Sequence, residues 1–210
     1  MQALPGLAEP IFIIVVLVMS VVIHEVSHGY AAYAMGDSTA KMAGRLTLNP
    51  IKHLDLFGSI IVPGLLALLG GFIIGWAKPV PYNPDRLDNK RWGPAMVAVA
   101  GPGSNLLLVV VFSLVLRLGM PAGFLNPQAA SLVALIILIN LALAFFNLLP
   151  VPPLDGSKII LALFSPHSAR RLEELFYRYQ FILFIILLFI ILNTSFLDRL
   201  ISSLFQVLVG

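Results

Sequence analysis

The 210-residue sequence contains no cysteine and few charged residues. Without cysteine there are no disulfide bonds and no thiolate ligands, so a metal site would use histidine, carboxylate or backbone oxygen ligands. Only 11% of the residues are charged and 59% are hydrophobic, whereas soluble domains contain roughly 25% charged residues. The composition excludes an ordinary soluble domain and predicts an integral membrane protein.

The sequence also lacks an internal repeat, a low-complexity tail and a visible appended soluble module. The net charge is +3, but the basic residues lie in short loops between apolar runs, which argues against nucleic-acid binding. The first apolar run has no small-residue cleavage site, so it is predicted to be a retained span and not a signal peptide. We therefore expect residues 1–210 to form a single integral-membrane domain.

Long apolar runs predict an α-helical polytopic membrane protein with about four full spans, since about 20 residues suffice to cross a bilayer. The predicted spans are residues 10–34, 93–117, 130–149 and 177–192, and the tail at 196–208 is expected to form an interfacial helix. Residues 56–76 are apolar but interrupted by Pro-Gly and Gly-Gly pairs. These breaks favour a re-entrant hairpin, and the alternative is a further full span.

Two segments predict short extended structure at the membrane edge. Residues 44–48 alternate in polarity, which is typical of a strand, and end before an Asn-Pro turn. Residues 77–84 contain prolines whose spacing excludes a helix and favours an extended path. These segments could pair with an unwound substrate by strand addition, or they could form a small sheet with no substrate role.

The sequence His-Glu-Val-Ser-His at 24–28 continues the first apolar run. On a helix His24 and His28 lie on one face, so both imidazoles can reach a single Zn²⁺, and the adjacent Glu25 is a candidate general base. Ionisable groups at membrane depth are costly and are retained where they pair, bind an ion or perform chemistry. The alternative is a polar helix end at the lipid–water boundary, but this would not need the four-residue spacing. The pattern predicts a metal site.

A catalytic zinc site takes three protein ligands and a water. Asp155 lies in an apolar, proline-rich stretch where the predicted span 130–149 ends, and it is the predicted third ligand. Alternatively, Asp155 only caps the turn before Gly156. His53 is the other candidate ligand, but its Asn-Pro and charged neighbours favour a solvated loop.

The positions of lysine and arginine predict the orientation in the membrane. The basic residues concentrate in three segments: Lys41, Arg45 and Lys52; Lys78, Arg86, Lys90 and Arg91; and Lys158, Arg170, Arg171 and Arg178. The first ten residues and residues 118–130 contain none. Because positive loops remain in the cytoplasm, the N-terminus is expected outside and the active site towards the cytoplasmic side. This arrangement requires residues 56–76 to enter and leave by the same face.

Three motifs in this order resemble the site-2 protease family of intramembrane zinc metalloproteases. They are HEVSHG at 24–29, AGPGSN at 100–105 and NLLPVPPLDG at 147–156. GRLTLNPIKHLD and GWAKPVPYNP resemble the compact bacterial and archaeal branch, without PDZ or cystathionine-synthase-type domains. The resemblance covers most of the expected catalytic core at about 10–165, and the C-terminal span and tail at 177–210 lie outside it.

The resemblance implies one zinc ion per chain, held by His24, His28 and Asp155, with Glu25 as the catalytic base. It also implies that Asn147 assists at the substrate carbonyl, although Asn147 could equally form a structural hydrogen bond between helices. The implied activity is endopeptidase cleavage of transmembrane segments in membrane-protein substrates, within the lipid bilayer of a prokaryotic cell membrane.

Two other kinds of protein remain alternatives. A metal-handling or transport protein also has broken spans and ionisable groups at membrane depth, but this sequence has one ligand cluster and no repeat pairing its halves. A catalytically silent scaffold of the same fold would not need the intact ligand set. A homodimer remains open from the sequence.

Overall fold

The computed structural model describes residues 8–55 and 77–209, together with positions 58, 61 and 65. The described residues form seven α-helices: α1 (Ala8–Ala34), α2 (Thr39–Met42), α3 (Gly93–Gly119), α4 (Pro127–Asn147), α5 (Asp155–Leu163), α6 (Pro166–Asn193) and α7 (Phe196–Val209). Short 3-10 turns lie at Pro50–Lys52 and Pro84–Arg86. Helices α1, α3, α4 and α6 are long and apolar enough to cross a membrane. The four predicted spans are thereby confirmed.

Helix α6 begins eleven residues before the predicted span at 177–192. Ser165 caps it by accepting the Ser168 N–H, and Pro166 occupies the first helical position, where its missing N–H costs nothing. The basic segment is therefore part of the helix and not a separate loop. None of the residues of α6 is buried, and the exposed apolar side chains of its second half suit contact with lipid.

Helix α3 lies at the centre of the bundle and packs against α1, α4 and α5. Val109 and Leu116 of α3 form a buried cluster with Ile137 and Leu141 of α4. Phe205 of α7 packs against this cluster, so the tail helix lies on α3 and α4. This cluster thereby fixes α3, α4 and α7 relative to one another.

Contacts between helices give their relative directions. The Asn105 carboxamide of α3 lies beside Ser20 of α1, and Val97, two turns earlier in α3, contacts His28, two turns later in α1. These two helices are therefore antiparallel. Asn140 of α4 also contacts Ser20, and α4 then continues to the level of His24 and His28. The ends of α1 and α4 and the start of α3 thus meet at one end of the bundle.

The connections at this end are held by the buried carboxylate of Asp37. Its oxygens accept hydrogen bonds from Thr39 Oγ1 at 2.5 Å and from the Asn83 N–H at 2.6 Å. Burial alone raises the pKa of Asp37, but these bonds to the ionised form outweigh it and lower that pKa below its usual value. Asp37 therefore ties the start of α2 to the segment that precedes α3.

The predicted strand at residues 44–48 is not present, and the described residues contain no strand. Arg45 is buried and its Nη2 donates to the carbonyl oxygens of Lys78 at 2.6 Å and Pro79 at 3.3 Å. The guanidinium thus satisfies carbonyls that a paired strand would otherwise have satisfied. Residues 77–83 form no helix, as their prolines predict; Asn83 has an extended backbone, and a 3-10 turn begins at Pro84. The predicted hairpin at 56–76 lies outside the described residues.

Candidate metal centre

Three buried side chains converge between α1 and the start of α5. Asp155 Oδ2 lies 3.1 Å from His24 Nε2 and 3.1 Å from His28 Nε2. One ligand atom of each residue lies within 4.8 Å of the others. In a tetrahedral zinc site with bonds of about 2.0–2.1 Å, neighbouring ligand atoms are about 3.3 Å apart. The three residues predicted as ligands therefore have the spacing that a metal ion requires.

Gly101 of α3 leaves open the space in front of the two imidazoles. A Cβ atom at this position would overlap His28 Nε2 and would lie 2.6 Å from His24 Nε2. The space next to both nitrogens is thus available only because residue 101 has no side chain. Two imidazole nitrogens and one carboxylate oxygen also form a ligand set that zinc takes in hydrolytic sites. The residues present fit a bound zinc ion.

Asp155 reaches the histidines because α5 begins directly against the end of α4. A Cβ at Gly156 would lie 2.5 Å from the carbonyl carbon of Leu148, so this close approach requires glycine. The residue that caps α5 is Leu154, and the Asp155 carboxylate contacts the imidazoles. These contacts favour the ligand role over the capping alternative. Its other oxygen, Oδ1, lies 3.8 Å from Lys158 Nζ.

Both histidine rings are held through Nδ1. His28 Nδ1 lies 2.6 Å from the Val97 carbonyl oxygen, and His24 Nδ1 lies 2.6 Å from Asn105 Oδ1. These contacts leave both Nε2 atoms directed at Asp155. Hydrogen bonds of this kind orient the histidine ligands of metal sites. Asn105 was not predicted as a site residue from the sequence, although a carboxamide in an apolar span is a signal of a buried polar contact.

Glu25 lies beside His24 in α1, half-buried. Its Oε2 accepts a hydrogen bond of 2.8 Å from the Val80 N–H, so the extended segment before α3 holds this carboxylate in place. Asn147, at the end of α4, donates through Nδ2 to the Leu143 carbonyl oxygen one turn earlier. Among the described residues, this intrahelical bond is the one that the Asn147 side chain makes.

His53, the other candidate ligand, is not part of the convergent group. Among the described residues, this group consists of His24, His28 and Asp155. The prediction that His53 lies in a solvated loop is wrong, because it is only 1% exposed. Its Nε2 donates to the Thr47 carbonyl oxygen at 2.9 Å. This bond connects the His53 ring to the backbone at Thr47, so His53 has a structural role in this loop.

Four membrane-length helices and a buried His-His-Asp group define a multi-pass membrane protein with a candidate metal centre. The chain belongs to peptidase family M50, whose model matches residues 12–125 and 124–191. This finding confirms the resemblance to the site-2 proteases.

Individual relatives agree with this family. The chain is 42% identical over 182 residues to YwhC of Bacillus subtilis, provisionally named a zinc metalloprotease, and the match covers 84% of this chain and 79% of that protein. It is 33% identical over 167 residues to Rip2 of Mycolicibacterium smegmatis, which has the same provisional name; this match covers 77% of the chain and 61% of the relative. No solved structure matches the chain.

Proposed function

We propose that this protein is a zinc-dependent intramembrane endopeptidase. His24, His28 and Asp155 hold one zinc ion, and Glu25 is the general base. The observation that carries this assignment is the convergence of the three buried ligand groups beside the space that Gly101 leaves open. The relatives named as zinc metalloproteases support the choice of metal and reaction over transport.

A zinc ion in such a site supplies Lewis-acid activation of water and of a peptide carbonyl. Glu25 accepts the proton of the attacking water and passes it to the departing amine. The Val80 N–H holds one oxygen of this carboxylate and thereby limits its orientations. Asn147 Nδ2 has two hydrogens, and its bond to Leu143 uses one. The second is available to the oxyanion that develops on the substrate.

The substrate is a transmembrane segment that unwinds locally, because an intact helix hides its peptide bonds. The segment 77–83 is a poor partner for strand addition. The N–H groups of Lys78, Val80 and Asn83 already donate within the protein, and two of the remaining residues are prolines. We therefore assign this segment to the support of Glu25 and not to substrate pairing.

Removal of zinc tests the proposed function directly. We expect the detergent-purified protein to cleave a model transmembrane substrate, to lose this activity on treatment with a strong chelator, and to regain it when one equivalent of zinc is added. Turnover and protein-bound zinc should be measured in the same samples. Cleavage that persists after all zinc is removed would contradict a metal-dependent mechanism.

We also propose that the metal centre lies towards the cytoplasmic side of the membrane. The Lys78 N–H donates to the His53 carbonyl oxygen at 2.9 Å, so the chain segments flanking 56–76 lie together. The ends of α1 and α4 and the start of α3 meet at this same end of the bundle. The basic residues at this end favour the cytoplasmic side.

Single cysteines can test this topology, because the chain has none of its own. Lys90 lies in the exposed loop before α3, and Ala122 lies in the exposed loop between α3 and α4. We expect Lys90→Cys to react with an impermeant thiol reagent only from the cytoplasmic side and Ala122→Cys only from outside. Labelling of Lys90→Cys from outside, or of Ala122→Cys from the cytoplasmic side, would refute the arrangement.

A further inference from the structure

A buried set of polar side chains surrounds the far side of the His24 ring. Asn105 of α3, Asn140 of α4 and Ser20 of α1 are each 3% exposed or less. Asn105 Oδ1 lies 2.6 Å from His24 Nδ1, and Asn105 Nδ2 donates to Asn140 Oδ1 at 2.8 Å. Asn140 Nδ2 in turn donates to Ser20 Oγ at 3.0 Å and to the Ile136 carbonyl oxygen at 2.9 Å.

The direction of these hydrogen bonds is fixed at the Ile136 carbonyl, because a carbonyl oxygen can only accept. Asn140 must therefore present Nδ2 to Ile136 and Oδ1 to Asn105. Asn105 must then turn Nδ2 towards Asn140, since the opposite orientation would bring two oxygens together. The Ser20 carbonyl oxygen, 3.4 Å from Asn105 Nδ2, favours the same orientation. Asn105 Oδ1 is thereby left to face His24.

An oxygen beside Nδ1 requires the proton of the neutral His24 ring to be on Nδ1, which leaves the lone pair on Nε2. His28 is held in the same tautomer without an intervening side chain, because its Nδ1 contacts the Val97 carbonyl oxygen directly. In both rings an obligate backbone acceptor thus determines the tautomer. For His24, two side-chain amides transmit this constraint across three helices.

We propose that Asn105 and Asn140 are positioning residues that hold His24 in the tautomer able to bind the metal through Nε2. This inference rests on the proposed zinc site. Neither asparagine contacts the metal or the substrate. Asn105 acts on His24 directly, and Asn140 acts only by preventing the Asn105 carboxamide from turning over.

Zinc affinity, measured by competition with a chromogenic chelator, tests this inference without reference to catalysis. Asn105→Leu should weaken zinc binding by about 10–100-fold, as the loss of such partners does in other metal sites. Asn105→Asp should retain more affinity than Asn105→Leu, because one carboxylate oxygen still accepts the Nδ1–H bond, while the other oxygen faces Asn140 Oδ1. Ser113→Ala is the matched control: it removes another buried polar group of α3, whose Oγ has no hydrogen-bond partner among the described residues, and should leave the affinity unchanged.

The role of Asn140 gives a sharper test. In the parent protein, Asn140→Leu should weaken zinc binding by about tenfold, because the Asn105 carboxamide is then free to present its NH₂ group to His24. In the Asn105→Asp background, the same Asn140→Leu change should not weaken zinc binding, because a carboxylate has no NH₂ group to present and its second oxygen no longer faces Asn140 Oδ1. A purely structural role for Asn140 would weaken binding equally in both backgrounds.

Thermal unfolding of the metal-free variants separates misfolding from a loss of ligand orientation. Unchanged zinc affinity in Asn105→Leu, or equal effects of Asn140→Leu in both backgrounds, would overturn the inference. A parent protein that binds zinc with the expected variant pattern but cleaves no peptide would instead overturn the proposed function alone. A parent protein that binds no zinc would overturn the metal site and the inference together.

Discussion

Replacement of Glu25 by glutamine is expected to abolish peptide hydrolysis and to leave zinc bound. Glutamine has the size of glutamate, and its carbonyl oxygen can still accept the Val80 N–H bond that the carboxylate accepts at 2.8 Å. It cannot take a proton from water, so the general base is lost. Loss of general-base catalysis lowers turnover by about 10²–10⁴-fold. The proposed ligands His24, His28 and Asp155 are unaffected by this change.

The measurement is the turnover number on a model transmembrane substrate together with elemental analysis of the same sample. Glu174→Gln is a suitable control, because Glu174 is an exposed carboxylate on α6 and its replacement changes the net charge equally. We expect this control to retain parental turnover. Substantial hydrolysis by Glu25→Gln with a full complement of zinc would exclude Glu25 as the base.

The part of the site that could be predicted from sequence is the part that local geometry determines. His24 and His28 lie on one face of α1 because a helix repeats every 3.6 residues, and their placement needed no knowledge of the fold. The relative directions of α1, α3 and α4 were predicted from the distribution of basic residues and apolar runs, and the contacts between these helices agree with them. Asp155 was identified because it is an isolated carboxylate at the end of an apolar span.

The remaining features depend on which distant residues meet. Arg45 was expected in a strand, yet its guanidinium is buried against the carbonyls of Lys78 and Pro79. His53 was expected in solvent, yet the loop encloses it. The Arg45 contacts join residues 33 and 34 positions apart, and His53 is held by the Thr47 carbonyl oxygen and, through its own carbonyl, by the Lys78 N–H. Alternation of polarity and local charge carry no information about such contacts.

The hydrogen-bond partners of the buried polar residues behind His24 could likewise not be predicted from the sequence. Asn105 and Asn140 are polar groups in apolar helices, so the sequence indicates that each needs a buried partner. It does not indicate that the partners are each other and His24. That pairing follows from the antiparallel packing of α3 against α1 and the position of α4 beside both.

The substitution Gly101→Ala is expected to eliminate zinc binding, although it adds only one methyl group. The added Cβ would lie 2.6 Å from His24 Nε2 and would overlap His28 Nε2. Relief of this overlap requires the imidazoles or α3 to move by several tenths of an ångström or more, whereas metal–ligand distances vary by only about 0.2 Å. Zinc content and peptide hydrolysis should both fall to background levels.

Gly103→Ala provides the matched control for this prediction. Gly103 lies two residues further along the same helix, and a Cβ there meets no described atom within 4 Å. Alanine favours a helix over glycine by about 1 kcal/mol, so neither substitution should destabilise α3 through its backbone. We therefore expect Gly103→Ala to bind zinc and to cleave substrate like the parent. Stoichiometric zinc in folded Gly101→Ala would show that the metal does not occupy the space between the two imidazoles and α3.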